Sequence, residues 1–235
     1  MSGRQRTRDA PHLRNRKSLQ SAARKRRAAA PTRARCRAGR LLLASNMSVA
    51  HLMIDVVNPL DFDGAERLLP QALEAVGHIA ALKQRARAAG IPTIYVNDNY
   101  GHWDLGFREI CDGVRRTRGG PLLKRLEPDF ARDLFVLKPM LSGFYGTALD
   151  ILLGHLHART VILTGIQGNM CVFATASDAY MRRYGVLVPA DCCASESAPE
   201  NEHALRQMAR AFKADTRPST ELELARHESC STPPA

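Results

Sequence analysis

Residues 159–185, RTVILTGIQGNMCVFATASDAYMRRYG, decide the fold because an apolar strand pattern passes directly into a helical pattern. The strand pattern has three consecutive apolar residues flanked by threonines, which is typical of a short buried strand. From Cys171 onward, apolar residues return every three or four positions, which is the spacing of a helix. A buried strand followed by a helix is the repeating unit of a parallel sheet, so this stretch predicts an α/β fold.

The same alternation continues on both sides of this stretch. Further strand patterns occupy residues 48–55, 91–98, 130–138 and 186–191, and further helical patterns occupy residues 69–90, 147–158 and 199–214. A short sixth strand is expected within residues 214–222. Residues 56–69 are predicted as loop, because Asn58 precedes a proline and disfavours an immediate helix. The pattern predicts a three-layer α/β/α sandwich around a mostly parallel central sheet.

Positive charge is concentrated near the beginning of the sequence. Residues 1–46 contain 14 Lys or Arg and one acid, whereas the remainder contains 20 bases and 22 acids. Residues 1–46 are therefore expected to be a disordered basic extension, residues 47–224 a folded domain and residues 225–235 a disordered tail. The extension could bind nucleic acid, serve as a nuclear-type basic patch or be a transit peptide. Alternatively, translation begins at Met47 and the upstream stretch is an extended reading frame.

The apolar run GRLLLAS, residues 39–45, is too short for a secretory signal or a membrane span. The sequence therefore predicts a cytoplasmic protein with no membrane partner. The six cysteines include no C-x-x-C pair and no His/Cys cluster at zinc spacing, so reduced thiols are expected.

Chemically useful side chains directly follow several predicted strands. Asp55 follows the first strand, Asn-Asp-Asn at residues 97–99 follows the second, Lys138 ends the third and Cys171 opens the helix after the fourth. These side chains are expected to converge, because the carboxyl ends of parallel strands meet at one edge of a sheet. A helix N-terminus and an ammonium group lower a thiol pKa, and a carboxylate can take the thiol proton. The ordinary alternatives are that Cys171 is a packed core thiol, Asp55 a loop acid and Lys138 a solvated lysine.

Three blocks carry a resemblance to a known family: HLMIDVVNPLDF (51–62), FVLKPMLSGFYGT (135–147) and LTGIQGNMCVFATASDAYMRRYG (163–185). They resemble the signature blocks of the isochorismatase-like cysteine hydrolases, a superfamily that includes nicotinamidases and N-carbamoylsarcosine amidases. The resemblance implies an Asp-Lys-Cys triad at Asp55, Lys138 and Cys171. It also implies a cis peptide between Ile166 and Gln167, with the backbone N–H groups of Gln167 and Cys171 forming an oxyanion hole.

Departures from better-known members bear on the metal and the substrate. Nicotinamidase-like members bind a metal through an Asp-x-His pair and a further His, whereas here Asp98 is followed by Asn99 and Tyr100, and then by His102. We therefore expect no metal and no other cofactor, and nicotinamide is disfavoured as the substrate. Residues 168–170 also lack the acidic, hydroxyl-bearing run of those members. True isochorismatases lack the cysteine, so its presence here favours a covalent route.

The resemblance implies a cysteine hydrolase that cleaves a small amide or related C–N bond through a thioester intermediate. Family members commonly form dimers or tetramers, so a homo-oligomer is expected. Loop residues that could line the substrate pocket are Phe62, Asn99, Trp103, Phe144 and Tyr145. For the aromatic residues the competing interpretation is ordinary packing, or a turn capped by Thr147.

Two other function classes stay open. A non-catalytic, nucleic-acid-associated protein would use the basic extension, and its salt-sensitive binding would disappear when residues 1–46 are removed. A thiol redox protein would form a disulfide involving Cys192 or Cys193, which follow the fifth strand at the same edge of the sheet.

Overall fold

The computed structural model describes residues 49–224, in which six parallel strands form one sheet. The expectations for residues 1–46, Met47 and residues 225–235 lie outside the described residues. The strands run in the spatial order β3-β2-β1-β4-β5, and the short β6 pairs with the end of β4. Their bounds are β1 (Val49–Ile54), β2 (Thr93–Asp98), β3 (Leu134–Lys138), β4 (Thr160–Ile166), β5 (Gly185–Leu187) and β6 (Cys193–Ala194).

Helices cover both faces of this sheet and form a separate hydrophobic core on each face. The first three helices contribute to one core and the last three to the other. Their bounds are α1 (Ala65–Ala88), α2 (Phe107–Val114), α3 (Gly120–Arg125), α4 (Leu149–His155), α5 (Phe173–Met181) and α6 (Ala198–Phe212). This arrangement confirms the predicted three-layer α/β/α sandwich.

Strand β1 illustrates why these residues form a central strand. Successive side chains of a strand point to opposite faces, so Met53 enters the core beneath α1 while Leu52 and Ile54 enter the other core. A parallel strand between two layers of helices is buried on both sides, and β1 meets that requirement with apolar residues at every position except the buried His51. The described residues contain no helix that is both long and apolar enough to cross a membrane.

Some predicted boundaries were wrong. Helix α1 begins at Ala65, within the stretch predicted as loop, so Pro70 lies inside the helix rather than near its start. Two helices, α2 and α3, occupy a region for which no element was predicted. The sixth strand is β6 rather than a segment of residues 214–222, where Asp215 only forms an isolated bridge to Leu187.

The carboxyl ends of β1, β2, β3 and β4 lie side by side because these strands are neighbours in the sheet. At the end of β4, Gly165 has a φ of +132°, and a Cβ there would lie 2.0 Å from the carbonyl oxygen of Ile54. Only glycine fits this approach of two strands. The chain then passes through a π-helical turn, Gly168–Val172, that leads into α5.

Candidate active site

Lys138 is the centre of a cluster of polar groups at this edge of the sheet. Its side chain is fully buried at the end of β3. Its Nζ lies 2.8 Å from Asp55 Oδ2, 3.1 Å from the carbonyl oxygen of Met140, 3.4 Å from Asp98 Oδ2 and 3.6 Å from Cys171 Sγ. The structure therefore brings Asp55, Lys138 and Cys171 together, as the strand-end argument predicts.

Asp55 directly follows β1 and has a left-handed backbone conformation, with φ at 50°. The backbone N–H of Asp98 donates a hydrogen bond of 2.7 Å to its Oδ1, which fixes the carboxylate. Burial raises the pKa of Asp55, while the charge of Lys138 opposes that rise. Burial alone would lower the pKa of Lys138, but the charge of Asp55 raises it above its ordinary value. Lys138 is therefore an ammonium group at neutral pH.

Cys171 lies in the π-helical turn and is partly exposed. Thr175 holds this turn from one side, because its hydroxyl donates to the Cys171 carbonyl oxygen at 2.7 Å and accepts from the Gly143 N–H at 3.0 Å. On the other side, the Asn169 N–H donates to the hydroxyl of the buried Ser195 at 3.1 Å. The thiol is thus carried by a turn that is tied to two neighbouring segments.

The expected lowering of the thiol pKa was wrong. Burial raises the pKa of Cys171 to about 12, and the negative charge of Asp55 adds to this effect, although Lys138 opposes it. Burial therefore outweighs the cation and the helix N-terminus on which the expectation rested. The resting group is a protonated thiol, so any nucleophilic use of Cys171 needs a base that removes the proton as the bond forms.

The peptide bond between Ile166 and Gln167 is cis, and it joins β4 to the turn that carries Cys171. The Gln167 side chain donates to Glu196 Oε1 at 3.2 Å, and Arg67 pairs with the other oxygen of Glu196 at 2.6 Å. The segment after β6 therefore also contacts the residue that precedes the turn.

The five residues predicted for the substrate pocket are placed differently from one another. Trp103 and Tyr145 are 79% and 64% exposed, and Phe62 is half-buried against the core beneath α1. Asn99 is buried, and its side-chain oxygen accepts from the Gly101 N–H at 3.0 Å. Phe144 is buried in the other core and stacks against a tyrosine. A local turn accounts for the burial of Asn99, and core packing accounts for that of Phe144.

Sequence reasoning missed Asp98 as a site residue, although it was among the polar residues that follow the second strand. Its carboxylate pairs with Lys138, and its other oxygen accepts from the Tyr100 N–H at 2.7 Å. The Tyr100 hydroxyl in turn donates to the Val57 carbonyl oxygen at 2.8 Å. Within residues 49–224, no group of three or more His, Cys, Asp or Glu side chains is arranged to hold a metal ion.

Cys192 and Cys193 are both buried, and they belong to the cores on opposite faces of the sheet. Burial raises the pKa of both thiols, that of Cys193 to about 12. Side chains on opposite faces cannot pair with each other without backbone movement, and buried protonated thiols react slowly with oxidants. This placement gives no support to a disulfide between the two.

Comparison with known proteins agrees with this fold. The chain matches the family model of the Isochorismatase domain over residues 49–217. It is 41% identical over 171 residues to the uncharacterized isochorismatase family protein YaaI of Bacillus subtilis, covering 73% of this chain and 94% of that protein. It is also 41% identical over 162 residues to the ureidoacrylate amidohydrolase RutB of Methylorubrum extorquens, covering 58% of this chain and 64% of the relative, which is less than two thirds of that relative's length.

Among solved structures, the N-carbamoylsarcosine amidase of Thermoplasma acidophilum superposes with a TM-score of 0.60 at 28% identity. The superposition covers 75% of this chain and 99% of that one. The region that matches the family model, residues 49–217, contains every strand and helix described above and the cluster around Lys138. The chain therefore belongs to the isochorismatase family and is a hydrolase.

Proposed function

We propose that the protein is a cysteine hydrolase that cleaves a small amide or a related C–N bond through a covalent thioester intermediate. One observation carries this proposal: the buried ammonium group of Lys138 contacts both the Asp55 carboxylate and the Cys171 sulfur. A carboxylate and a thiol held by one cation form a base and nucleophile pair that a merely structural role would not require.

In the proposed reaction, Cys171 Sγ attacks the carbonyl carbon of the substrate while its proton passes to Asp55. The backbone N–H groups of Gln167 and Cys171 stabilise the negative oxygen of the tetrahedral intermediate. Asp55 then gives its proton to the leaving nitrogen, the C–N bond breaks, and an amine or ammonia departs from the thioester. Water attacks the thioester, Asp55 takes a proton from it, and the returning proton regenerates the thiol. Lys138 stays charged and keeps both partners in place.

The raised thiol pKa determines how Asp55 must act. At a pKa of about 12 the thiolate is scarce at neutral pH, so proton removal has to accompany attack on the carbonyl carbon. Asp55 serves as this base only while it is ionised, and Lys138 favours the ionised form. The proposal therefore assigns Lys138 an electrostatic role and Asp55 the proton transfer.

The substrate is proposed to be a small amide. Relatives whose names state an amidohydrolase and an amidase support this class. Of the aromatic residues predicted to line the pocket, Trp103 and Tyr145 are exposed and Phe62 is half-buried, so these three retain surface for contact with the substrate. The domain boundaries at residues 47 and 224, the cytoplasmic location and the nucleic-acid alternative stay predictions from the sequence.

A homo-oligomer is proposed as the working assembly. Several large apolar side chains of α4, of α5 and of the loop before α4 are exposed, and a second copy would remove them from water. They are Met140 (56%), Leu141 (44%), Ile151 (78%) and Met181 (66%). Light scattering of the wild type and of Met181→Glu tests this proposal. A dimer or tetramer that the variant weakens supports it, and a wild-type monomer contradicts it.

Ammonia release from a panel of small amides, including ureidoacrylate, N-carbamoylsarcosine and nicotinamide, tests the function. We expect at least one amide to be hydrolysed, and Cys171→Ala and Asp55→Asn to lower that rate at least about thousandfold. Matched controls are Cys111→Ala, which removes a buried thiol outside the site, and Asp61→Asn, which neutralises an exposed acid of the loop after β1. Undiminished hydrolysis by Cys171→Ala would overturn the proposal.

A further inference from the structure

A second carboxylate, that of Asp98, lies in the cluster around Lys138 and has no role in the proton transfers described above. Asp98 ends β2, and its side chain is 30% exposed, whereas the side chain of Asp55 is 5% exposed. Both acids contact the same ammonium group. Asp98 is therefore the more accessible of the two acids to a molecule that arrives from solvent.

The carboxylate of Asp98 can accept more hydrogen bonds than it receives within residues 49–224. A lysine ammonium has three N–H donors, but four acceptors surround Lys138 Nζ. The two nearest acceptors, on Asp55 and Met140, take two donors. Asp98 and Cys171, at 3.4 and 3.6 Å, share the third. A carboxylate can accept about four hydrogen bonds, and within residues 49–224 Asp98 receives one from the Tyr100 N–H and this shared one.

The charges of the cluster indicate which kind of substrate group would bind to Asp98. Two carboxylates and one ammonium give the site a net negative charge while the thiol is protonated. An anionic group close to Asp98 would be repelled, whereas an N–H donor would complete its hydrogen bonds. Asp98 and Cys171 Sγ contact the same Nζ atom, so a substrate whose reacting carbon lies against the sulfur has its adjacent nitrogen within reach of Asp98.

We propose that Asp98 is a substrate-binding residue that accepts a hydrogen bond from an N–H of the amide or ureido group that is cleaved. This inference rests on the proposed function and deepens it, because it names the substrate feature that the site selects. Asp98 favours molecules whose carbonyl group carries an N–H over esters of the same size. It takes no proton in the reaction; Asp55 remains the base.

The test uses alkylation of Cys171 by two reagents of similar size, iodoacetamide, which carries N–H donors, and methyl iodoacetate, which carries none. The rate for each reagent is measured by peptide mass spectrometry and divided by its rate with N-acetylcysteine. The ratio of the two normalised rates is independent of the thiol pKa, because a change in that pKa affects both reagents equally. No turnover is needed.

We expect the wild type to favour iodoacetamide by about tenfold and Asp98→Ala to lose this preference. Asp104→Ala, which removes an exposed acid from the loop after β2, is the matched control and keeps it. A preference that persists in Asp98→Ala overturns the inference and leaves the proposed function intact. A wild-type Cys171 that reacts with neither reagent overturns both. Amide hydrolysis by a wild type that shows no preference overturns the inference alone.

Discussion

Replacing Lys138 with methionine removes the ammonium group from a fully buried position and leaves the Asp55 carboxylate without its charge partner. Breaking a buried ion pair in this way costs about 3–5 kcal/mol, because the remaining charge is neither hydrated nor paired. For a domain of this size that loss lowers the Tm by about 10 °C. The double variant Asp55→Asn/Lys138→Met buries neither charge, so we expect it to recover most of the loss.

The cost of Lys138→Met depends on pH with a definite sign. Burial raises the folded-state pKa of Asp55, and removing Lys138 eliminates the main effect that opposes this rise. A carboxyl group whose folded pKa exceeds its unfolded pKa retains its full contribution to stability below the unfolded pKa. It loses that contribution as the pH rises through the folded pKa. The stability deficit of Lys138→Met is therefore expected to be larger at pH 8 than at pH 5.

Urea unfolding followed by circular dichroism at both pH values measures these free energies. Lys124→Met, which makes the same change at an exposed position, is the control and should shift the free energy of unfolding by less than about 0.5 kcal/mol. A deficit that is equal at both pH values, or a double variant no more stable than Lys138→Met, would refute the claim that Lys138 compensates a buried Asp55 carboxylate.

Two further predictions concern the sheet. Gly165→Ala places a Cβ 2.0 Å from a carbonyl oxygen of β1, so it should prevent folding or lower the free energy of unfolding by more than about 3 kcal/mol. The control, Gly154→Ala, has open space around the new Cβ and should be tolerated. Equal thermal stability of the two variants would contradict this packing. Burial lowers the pKa of His51 to about 3, below its unfolded value, so its contribution to stability is present above about pH 6.5 and is lost on acidification by up to about 1.4 kcal/mol per pH unit. In urea unfolding between pH 6.5 and 4, the free energy of unfolding of His51→Gln should therefore decline less steeply than that of the wild type. Equal slopes for the two proteins would argue against this role of His51.

The position of the site was predictable because strand ends are visible in the sequence. The apolar runs before Asp55 and Lys138 stop abruptly, and parallel strands bring their carboxyl ends to one edge. The role of Asp98 was less visible, since the sequence does not show which of residues 97–99 points toward Lys138. The thiol pKa of Cys171 could not be predicted, because it depends on burial by segments that are distant in the sequence.

The prediction of secondary structure was wrong where local sequence signals conflicted. Helix α2 has apolar residues at helical spacing, Phe107, Ile110, Cys111 and Val114, but neighbouring glycines and arginines obscured the pattern. The helical pattern was predicted from residue 69, yet α1 begins four residues earlier, at Ala65, because its first turns pack against the core through Leu68. In both cases tertiary packing outweighed local preference.

The proposed reaction requires that Cys171 is a nucleophile and that its reactivity depends on Asp55. The most direct measurement is mass spectrometry of the acid-quenched protein after a brief reaction with p-nitrophenyl acetate, which acylates a reactive thiol whatever the natural substrate is. We expect one acetyl group per chain, on the peptide that contains Cys171, and its loss in Asp55→Asn. Acetylation of other residues while Cys171 stays unmodified, or unchanged acetylation of Cys171 in Asp55→Asn, would contradict it.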